Sequence, residues 1–210
     1  MTDQKREMNL WNHIRPQSIH ENALRFRATF CLGGVSFLAL LVVVMTGMLL
    51  LFYYQPGEKA FDSLVQIQSV YPYGGFFRGL HFWAAQLMVV TLVLHTIRVI
   101  VQGAYRPPRE LNWVIGVVLF GVTVVLDFTG YLLRGNQESA AAATVGRQLL
   151  TFLPGGKFIA QIFFGYANSP YSSSLVLYIW HCFILPGVCF FLVFWHFWRI
   201  RRDGGVYPPL

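Results

Sequence analysis

Long apolar runs alternate with short polar connections along this chain. Residues 28–57, 79–97 and 171–198 contain no charged side chain, and the run 111–133 is broken only by Asp127. Each is about as long as the roughly 20 apolar residues that a helix needs to cross a bilayer, so the pattern predicts four membrane-spanning helices. Their expected extents are residues 29–54, ended by Gln55-Pro56-Gly57, then 77–101, 113–133 and 173–199, the last with a kink at Pro186. Two shorter apolar-periodic pieces, 140–152 and 157–164, flank Leu153-Pro154-Gly155-Gly156 and are expected as surface helices between the third and fourth spans. The fold class is therefore an all-α membrane protein, a four-helix bundle. Residues 1–28 set Leu10, Trp11, Ile14 and Ile19 among charges and read as an amphipathic N-terminal helix along the interface. The expected organisation is this arm, one transmembrane domain over 29–204, and a tail over 205–210.

Composition agrees: 55% of residues are hydrophobic, only 12% are charged, and mean hydropathy is +0.50, too apolar for a soluble domain of this length. The first 27 residues lack an apolar core and a small-residue cleavage site, so no signal peptide is expected and the first span serves as insertion signal. Four spans place both termini on one side. That side collects Lys5, Arg6, Arg15, Arg25, Arg27, Arg98, Arg106, Arg109, Arg199, Arg201 and Arg202, against Lys59, Arg78, Arg134, Arg147 and Lys157 on the other. The asymmetry places both termini in the cytoplasm or its equivalent. It also accounts for the net charge of +7 without a nucleic-acid partner. Cys31, Cys182 and Cys189 all fall in spans with no CxxC or CxxCH pattern, so neither a disulfide framework nor the ordinary c-type haem motif is indicated.

Four histidines lie inside spans: His81 and His95, fourteen residues apart, and His181 and His196, fifteen apart. The second and fourth spans run in the same direction, from outside to inside. His81 is thus level with His181 near the outer face, and His95 with His196 near the inner face. At 1.5 Å per residue the separations are about 21 and 22 Å, and at about 100° per residue both members of each ladder can face one seam. Two facing imidazoles at one depth are the ligands of a six-coordinate haem iron. The arrangement predicts two haems stacked across the membrane, the alternative being histidines bonded to backbone carbonyls or lining a proton path. Gly33 and Gly47 in the first span, and Gly116 and Gly130 in the third, repeat the fourteen-residue pitch at the same two levels. Flat macrocycles need such side-chain-free patches, although ordinary small-residue helix packing has the same signature.

These histidines and glycines, with Pro108-Arg109-Glu110-Leu111-Asn112-Trp113, resemble cytochrome b of the quinol:cytochrome c reductases. The resemblance is closest to its short four-helix form, the b-six subunit of cytochrome bf complexes, for which the fifteen-residue second spacing is a signature. It implies two non-covalent b haems, the outer held by His81 and His181 and the inner by His95 and His196. Arg78 and Arg98 match family arginines suited to haem propionates, the alternative being snorkelling at helix ends. Phe30-Cys31-Leu32-Gly33-Gly34 resembles the segment whose cysteine binds a third haem through one thioether, and Arg201 matches the residue that contacts that haem's propionate. Outside the resemblance, Cys31 reads as an inert apolar residue.

The resemblance further implies a dihaem subunit carrying electrons from an outer quinol-oxidising site to an inner quinone-reducing site. Its implied partners are a second cytochrome b fragment of the subunit IV type, a Rieske iron–sulfur protein and cytochrome c, in a dimeric complex of a bacterial cytoplasmic or thylakoid-type membrane. Such a subunit is an electron carrier within an oxidoreductase rather than an enzyme alone. The chain departs from the family at its outer face. Thr129-Gly130-Tyr131 continues as Leu132-Leu133-Arg134-Gly135-Asn136-Gln137 instead of the Pro-Trp-Asp-Gln run, Phe82 replaces an arginine, and Asp127 stands where a small residue is usual. An ionisable residue within a span is a functional candidate, so Asp127 is expected to accept a quinol proton, or else to reach interface water or Arg134. The competing functions are a dihaem anchor of a formate dehydrogenase or hydrogenase, and a haem-free channel with a histidine proton relay.

Overall fold

The computed structural model describes residues 31–165 and 170–203, with backbone alone at 170–172. The expected N-terminal arm and C-terminal tail lie outside the described residues. Eight α-helices occur within them: α1 Leu32–Leu51, α2 Ala60–Ser69, α3 Gly74–Val101, α4 Glu110–Leu132, α5 Gln137–Thr151, α6 Gly156–Phe164, α7 Pro170–Ile179 and α8 Leu185–Arg202. A π-helical turn, Trp180–Ile184, joins α7 to α8. Among the described residues, four helices are long and apolar enough to cross a membrane: α1, α3, α4, and the α7–π–α8 unit over Ser173–Arg202.

The spans pack as two pairs, α1 along α3 and α4 along α8, while α3 and α4 touch only briefly. Ser36 Oγ donates to Thr91 Oγ1 at 2.8 Å across the first pair, the kind of small-residue polar link that holds helices together where lipid offers no hydrophobic drive. A buried layer of Ala39, Leu40, Met88, Ile115, Leu119, Cys189 and Leu192 joins the two pairs at mid-height. Apart from Ile115, which adjoins Gly116 at the inner level, it falls between the two histidine levels.

Helix α2 is not anticipated by the apolar pattern of the sequence. Its Ala60, Ser63 and Ile67 are buried at helical spacing, and it seats against α3 because Gly74 has no Cβ, which would collide with the Ile67 carbonyl. The altered run after Tyr131 makes the turn into α5 and packs on α2. Gly135 adopts a positive φ of 67°, and a Cβ there would meet Ala60 Cβ at 2.9 Å. The Asn136 side chain accepts from Ser139 N at 2.9 Å and caps α5.

Helices α5 and α6 occupy the two expected surface pieces. Arg147 on α5 ties them to the fourth span: it donates to the carbonyls of Gly165 at 2.7 Å and Phe164 at 3.0 Å, and to Ser173 Oγ at 3.4 Å. Replacing Arg147 with Ala frees the C-terminus of α6 and lowers stability by about 2 kcal/mol, the scale for hydrogen bonds to a charged group. Thermal unfolding in detergent measures this, and an unchanged midpoint contradicts the clamp.

Candidate functional site

The outer histidines meet. The rings of His81 and His181 are 6.4 Å apart between centroids, with planes inclined at 69°. Each is fixed from behind by the span paired with its own. His81 Nδ1 lies 3.0 Å from the Val43 carbonyl and 3.1 Å from Thr46 Oγ1. His181 Nδ1 lies 3.1 Å from the Leu126 carbonyl and 3.1 Å from Thr129 Oγ1. Both threonine hydroxyls already donate to backbone carbonyls of their own helices, Thr46 to Val42 at 2.7 Å and Thr129 to Leu126 at 2.9 Å. A carbonyl can only accept, so each Nδ1 carries the proton and each Nε2 keeps its lone pair. The two free Nε2 lone pairs are what an iron between the rings requires.

The separation fits that purpose. Metal–imidazole bonds of about 2.0–2.1 Å on both sides leave ring centroids about 6 Å apart, close to the distance observed. The glycines complete each holder. A Cβ on Gly47 would stand 3.1 Å from His81 Cε1, and one on Gly130 only 2.7 Å from His181 Cε1; for Gly33 with His95 and Gly116 with His196 the distances are 3.4 and 3.3 Å. The open face of each glycine is thus filled by the edge of one imidazole, one glycine per histidine, at the two expected levels. The residues fit a bis-imidazole haem at the outer rung.

The inner pair shares one apolar cavity, lined by His95 and His196 together with Gly33, Gly116, Arg98 and Arg109. Both Nδ1 atoms are buried and make no hydrogen bond among the described residues. The Asn112 backbone stands toward His196, short of good bonding geometry. Its place, four residues before Gly116, repeats Val43 before Gly47 and Leu126 before Gly130. No threonine precedes Gly33 or Gly116, so the hydroxyl support is confined to the outer rung.

The unequal spacings are reconciled by the π turn. Pro186 has no N–H and clashes with the carbonyl of the preceding turn, and the chain widens there, with Leu185 N bonded to Trp180 O five residues back. A π turn holds one residue more than an α turn. Fifteen residues between His181 and His196 therefore span about the same height as fourteen of plain α-helix between His81 and His95.

The remaining sequence candidates are dispersed. Cys31 opens α1 in the left-handed region at φ 48°, exposed, two residues before the Gly33 that faces His95. Arg98 stands one turn beyond His95 in the inner cavity. Arg78 donates to Gln68 Oε1 at 2.6 Å in a cleft of mixed lining shared with Arg134 and Asn136, while Arg134 also lies over the Tyr131 ring at 5.3 Å. Arg201 is exposed on α8 and does not line the inner cavity. Asp127 is half-buried and is paired with Gln86, whose Nε2 lies 3.4 Å from its Oδ1, rather than with Arg134. Two cavity residues were missed as site candidates, Arg109 and Asn112. Burial lowers the proton affinity of Arg109, and the nearby Asp203 opposes this. The signal was the segment 108–113, where both residues stand.

A membrane bundle with two levels of paired histidines, the outer pair facing and held by backbone carbonyls and the inner pair sharing one cavity, is the scaffold of a dihaem b-type cytochrome. A family model described as Cytochrome b/b6/petB matches residues 20–204, and the chain belongs to this family, which carries haem b and interacts with quinol. It is 37% identical over 202 residues to the menaquinol:cytochrome c reductase cytochrome b subunit of Bacillus subtilis, covering 93% of this chain and 90% of that one. It is 38% identical over 177 residues to cytochrome b6 of Heliomicrobium gestii, covering 83% of each. A solved structure described as a hyperthermophilic respiratory Complex III superposes with a TM-score of 0.74 at 26% identity, over 84% of this chain and 48% of that one.

Proposed function

We propose that the chain carries electrons across the membrane as the dihaem cytochrome b subunit of a quinol:cytochrome c type reductase, from an outer quinol-oxidising site to an inner quinone-reducing site. The observation that supports this most is that the outer imidazoles lie 6.4 Å apart between ring centroids, each with its Nδ1 against a backbone carbonyl, which leaves Nε2 free as a ligand. His81 and His181 would hold the outer haem and His95 and His196 the inner. When bound, the haems supply one-electron acceptors at two depths. The chain's own part is to orient the imidazoles through Val43, Thr46, Leu126 and Thr129 and to exclude water from the gap with the Leu40–Met88–Leu119 layer. Arg98, Arg78 and the newly placed Arg109 are suited to propionate carboxylates at the two ends.

The finer assignments rest on the resemblance. Cys31 would hold a third haem by one thioether beside the inner b haem, a reading supported by its place two residues before Gly33 and its exposed thiol; Arg201 would meet that haem's propionate. Asp127 would accept a proton from the outer quinol. A second cytochrome b fragment, a Rieske protein and cytochrome c would complete a dimeric complex, with both termini on the cytoplasmic side of a bacterial cytoplasmic or thylakoid-type membrane. The Bacillus subtilis relative, similar along nearly its whole length, favours this reading over an anchor for a formate dehydrogenase or hydrogenase.

Haem staining after denaturing electrophoresis tests the Cys31 assignment. One covalent haem band at the mass of this chain is expected, with Cys31→Ser abolishing the band and leaving both extractable b haems. A wild-type chain without the band contradicts the covalent haem while leaving the two b haems standing.

A further inference from the structure

Asp127 and Gln86 form a polar pair between the two haem levels, in a stretch of α3 and α4 that is otherwise apolar apart from scattered threonines. Gln86 lies five residues beyond His81 on α3, about 7.5 Å deeper, and Asp127 lies three residues below Gly130 on α4, about 4.5 Å deeper. The pair thus sits just inside the outer rung, on the path between the two histidine levels. It also joins the α1–α3 pair to the α4–α8 pair, which otherwise touch little at this edge.

A carboxylate in an apolar membrane interior is costly unless it is paired or protonated. Gln86 offers one N–H at a long 3.4 Å, which orients the carboxyl and leaves its charge unneutralised. On the elements packed against α4, the ionisable side chains of the outer half are Arg78 and His81 on α3, His181 and Cys182 in the π turn, Cys189 on α8, Tyr178 on α7, and Glu138 and Arg147 on α5. Asp127 makes no hydrogen bond or ion pair with any of them. Its ionisation is therefore set by burial, by one amide, and by whatever charge stands at the outer rung.

We propose that Asp127, held in place by Gln86, is a redox-linked proton site: it binds one proton when the outer haem gains an electron and releases it when that electron moves on. This deepens the role given to Asp127 above and rests on the dihaem reading. The balance is simple. One electron from quinol would reduce the outer haem held by His81 and His181, and one proton, from quinol or outer-face water, would add to the Asp127 carboxylate to give the carboxylic acid; quinol's other electron would go to the Rieske iron–sulfur partner and the remaining protons to outer-face water. Loss of one positive charge from the outer rung strengthens proton binding at a nearby acid, because charges in a low-dielectric interior are felt over this range. Gln86 is a positioning residue, and its amide N–H favours the ionised form.

The test is a mediated redox titration of the complete protein in membranes, followed at the b-haem bands over a range of pH without added quinol. The outer midpoint is expected to fall as pH rises, over the window where Asp127 is ionised beside the oxidised haem. The slope reaches as much as about 59 mV per pH unit, a tenfold change in a one-electron equilibrium. The inner midpoint responds less. Asp127→Asn flattens the outer dependence, Asp127→Glu keeps it, and Gln86→Leu displaces its window to higher pH. The reduced-minus-oxidised infrared spectrum gains a protonated-carboxyl band that Asp127→Asn removes. A pH-independent outer midpoint in the wild type, or an unchanged slope in Asp127→Asn, overturns the proposal. A protein without b-haem bands overturns the dihaem reading itself, and the two failures are distinct.

Discussion

Replacing His181 with Ala leaves a protein with one b haem, the inner one. His181 and His81 face each other at 6.4 Å, and removing one imidazole takes away one of two axial ligands and the group that fills the Gly130 notch. The inner pair shares no hydrogen bond with the outer, and the Leu40–Met88–Leu119 layer lies between them, so the inner rung keeps its geometry. Haem extraction should return about half the wild-type haem per chain, since each iron in this arrangement depends on its own two ligands. The reduced-minus-oxidised spectrum should keep a single b component. Loss of both haems, or loss of the component assigned to the inner rung, contradicts the pairing by depth.

A methyl group at Gly130 acts on the same rung while leaving both ligand residues in the sequence. Its Cβ would fall 2.7 Å from His181 Cε1, closer than carbon atoms pack, and the bonds of His181 Nδ1 to Leu126 and Thr129 hold the ring against that same helix. The ring must tilt or α4 must move. Overpacking of this kind costs about 1–3 kcal/mol, and here it bears on the direction of the Nε2 lone pair. Gly130→Ala is expected to weaken outer haem retention and shift its midpoint potential. Gly121→Ala on the same helix has nothing within 4 Å of its Cβ and leaves both haems unchanged. Equal behaviour of the two variants contradicts the role given to Gly130. Gly33→Ala, whose Cβ would stand 3.4 Å from His95 Cε1, should be the mildest of the four ligand-facing glycine changes.

Much of this arrangement is legible in the order of the amino acids. Charge-free runs of membrane length define the spans, helix parity sets which histidines share a depth, and the fourteen-residue glycine repeat marks the same two levels. The features that escape are those made by contacts between elements. Thr46 and Thr129 each precede a glycine that faces a histidine, but only the fold brings their hydroxyls to His81 and His181. The π turn follows from Pro186, which sequence reads as a kink; that the turn absorbs the extra residue of the His181–His196 spacing depends on hydrogen-bond register, which apolar periodicity does not encode. Helix α2 escapes because its buried face consists of Ala60, Ser63 and Ile67, too small and too polar to register as an apolar stripe. Asp127 stands out at once, whereas its partner Gln86 is one amide among several until α3 and α4 are placed side by side.

The central claim is that one chain holds two haems, each between a histidine of α3 and a histidine of the fourth span. Low-temperature electron paramagnetic resonance of the oxidised protein tests it most directly, because ligand number and spin state are read together. Two low-spin ferric signals are predicted, each integrating to one spin per chain and one of them lost in His181→Ala. A single low-spin signal in the wild type contradicts it, as does a high-spin signal that persists in undamaged Cys31→Ser, where no third haem is held.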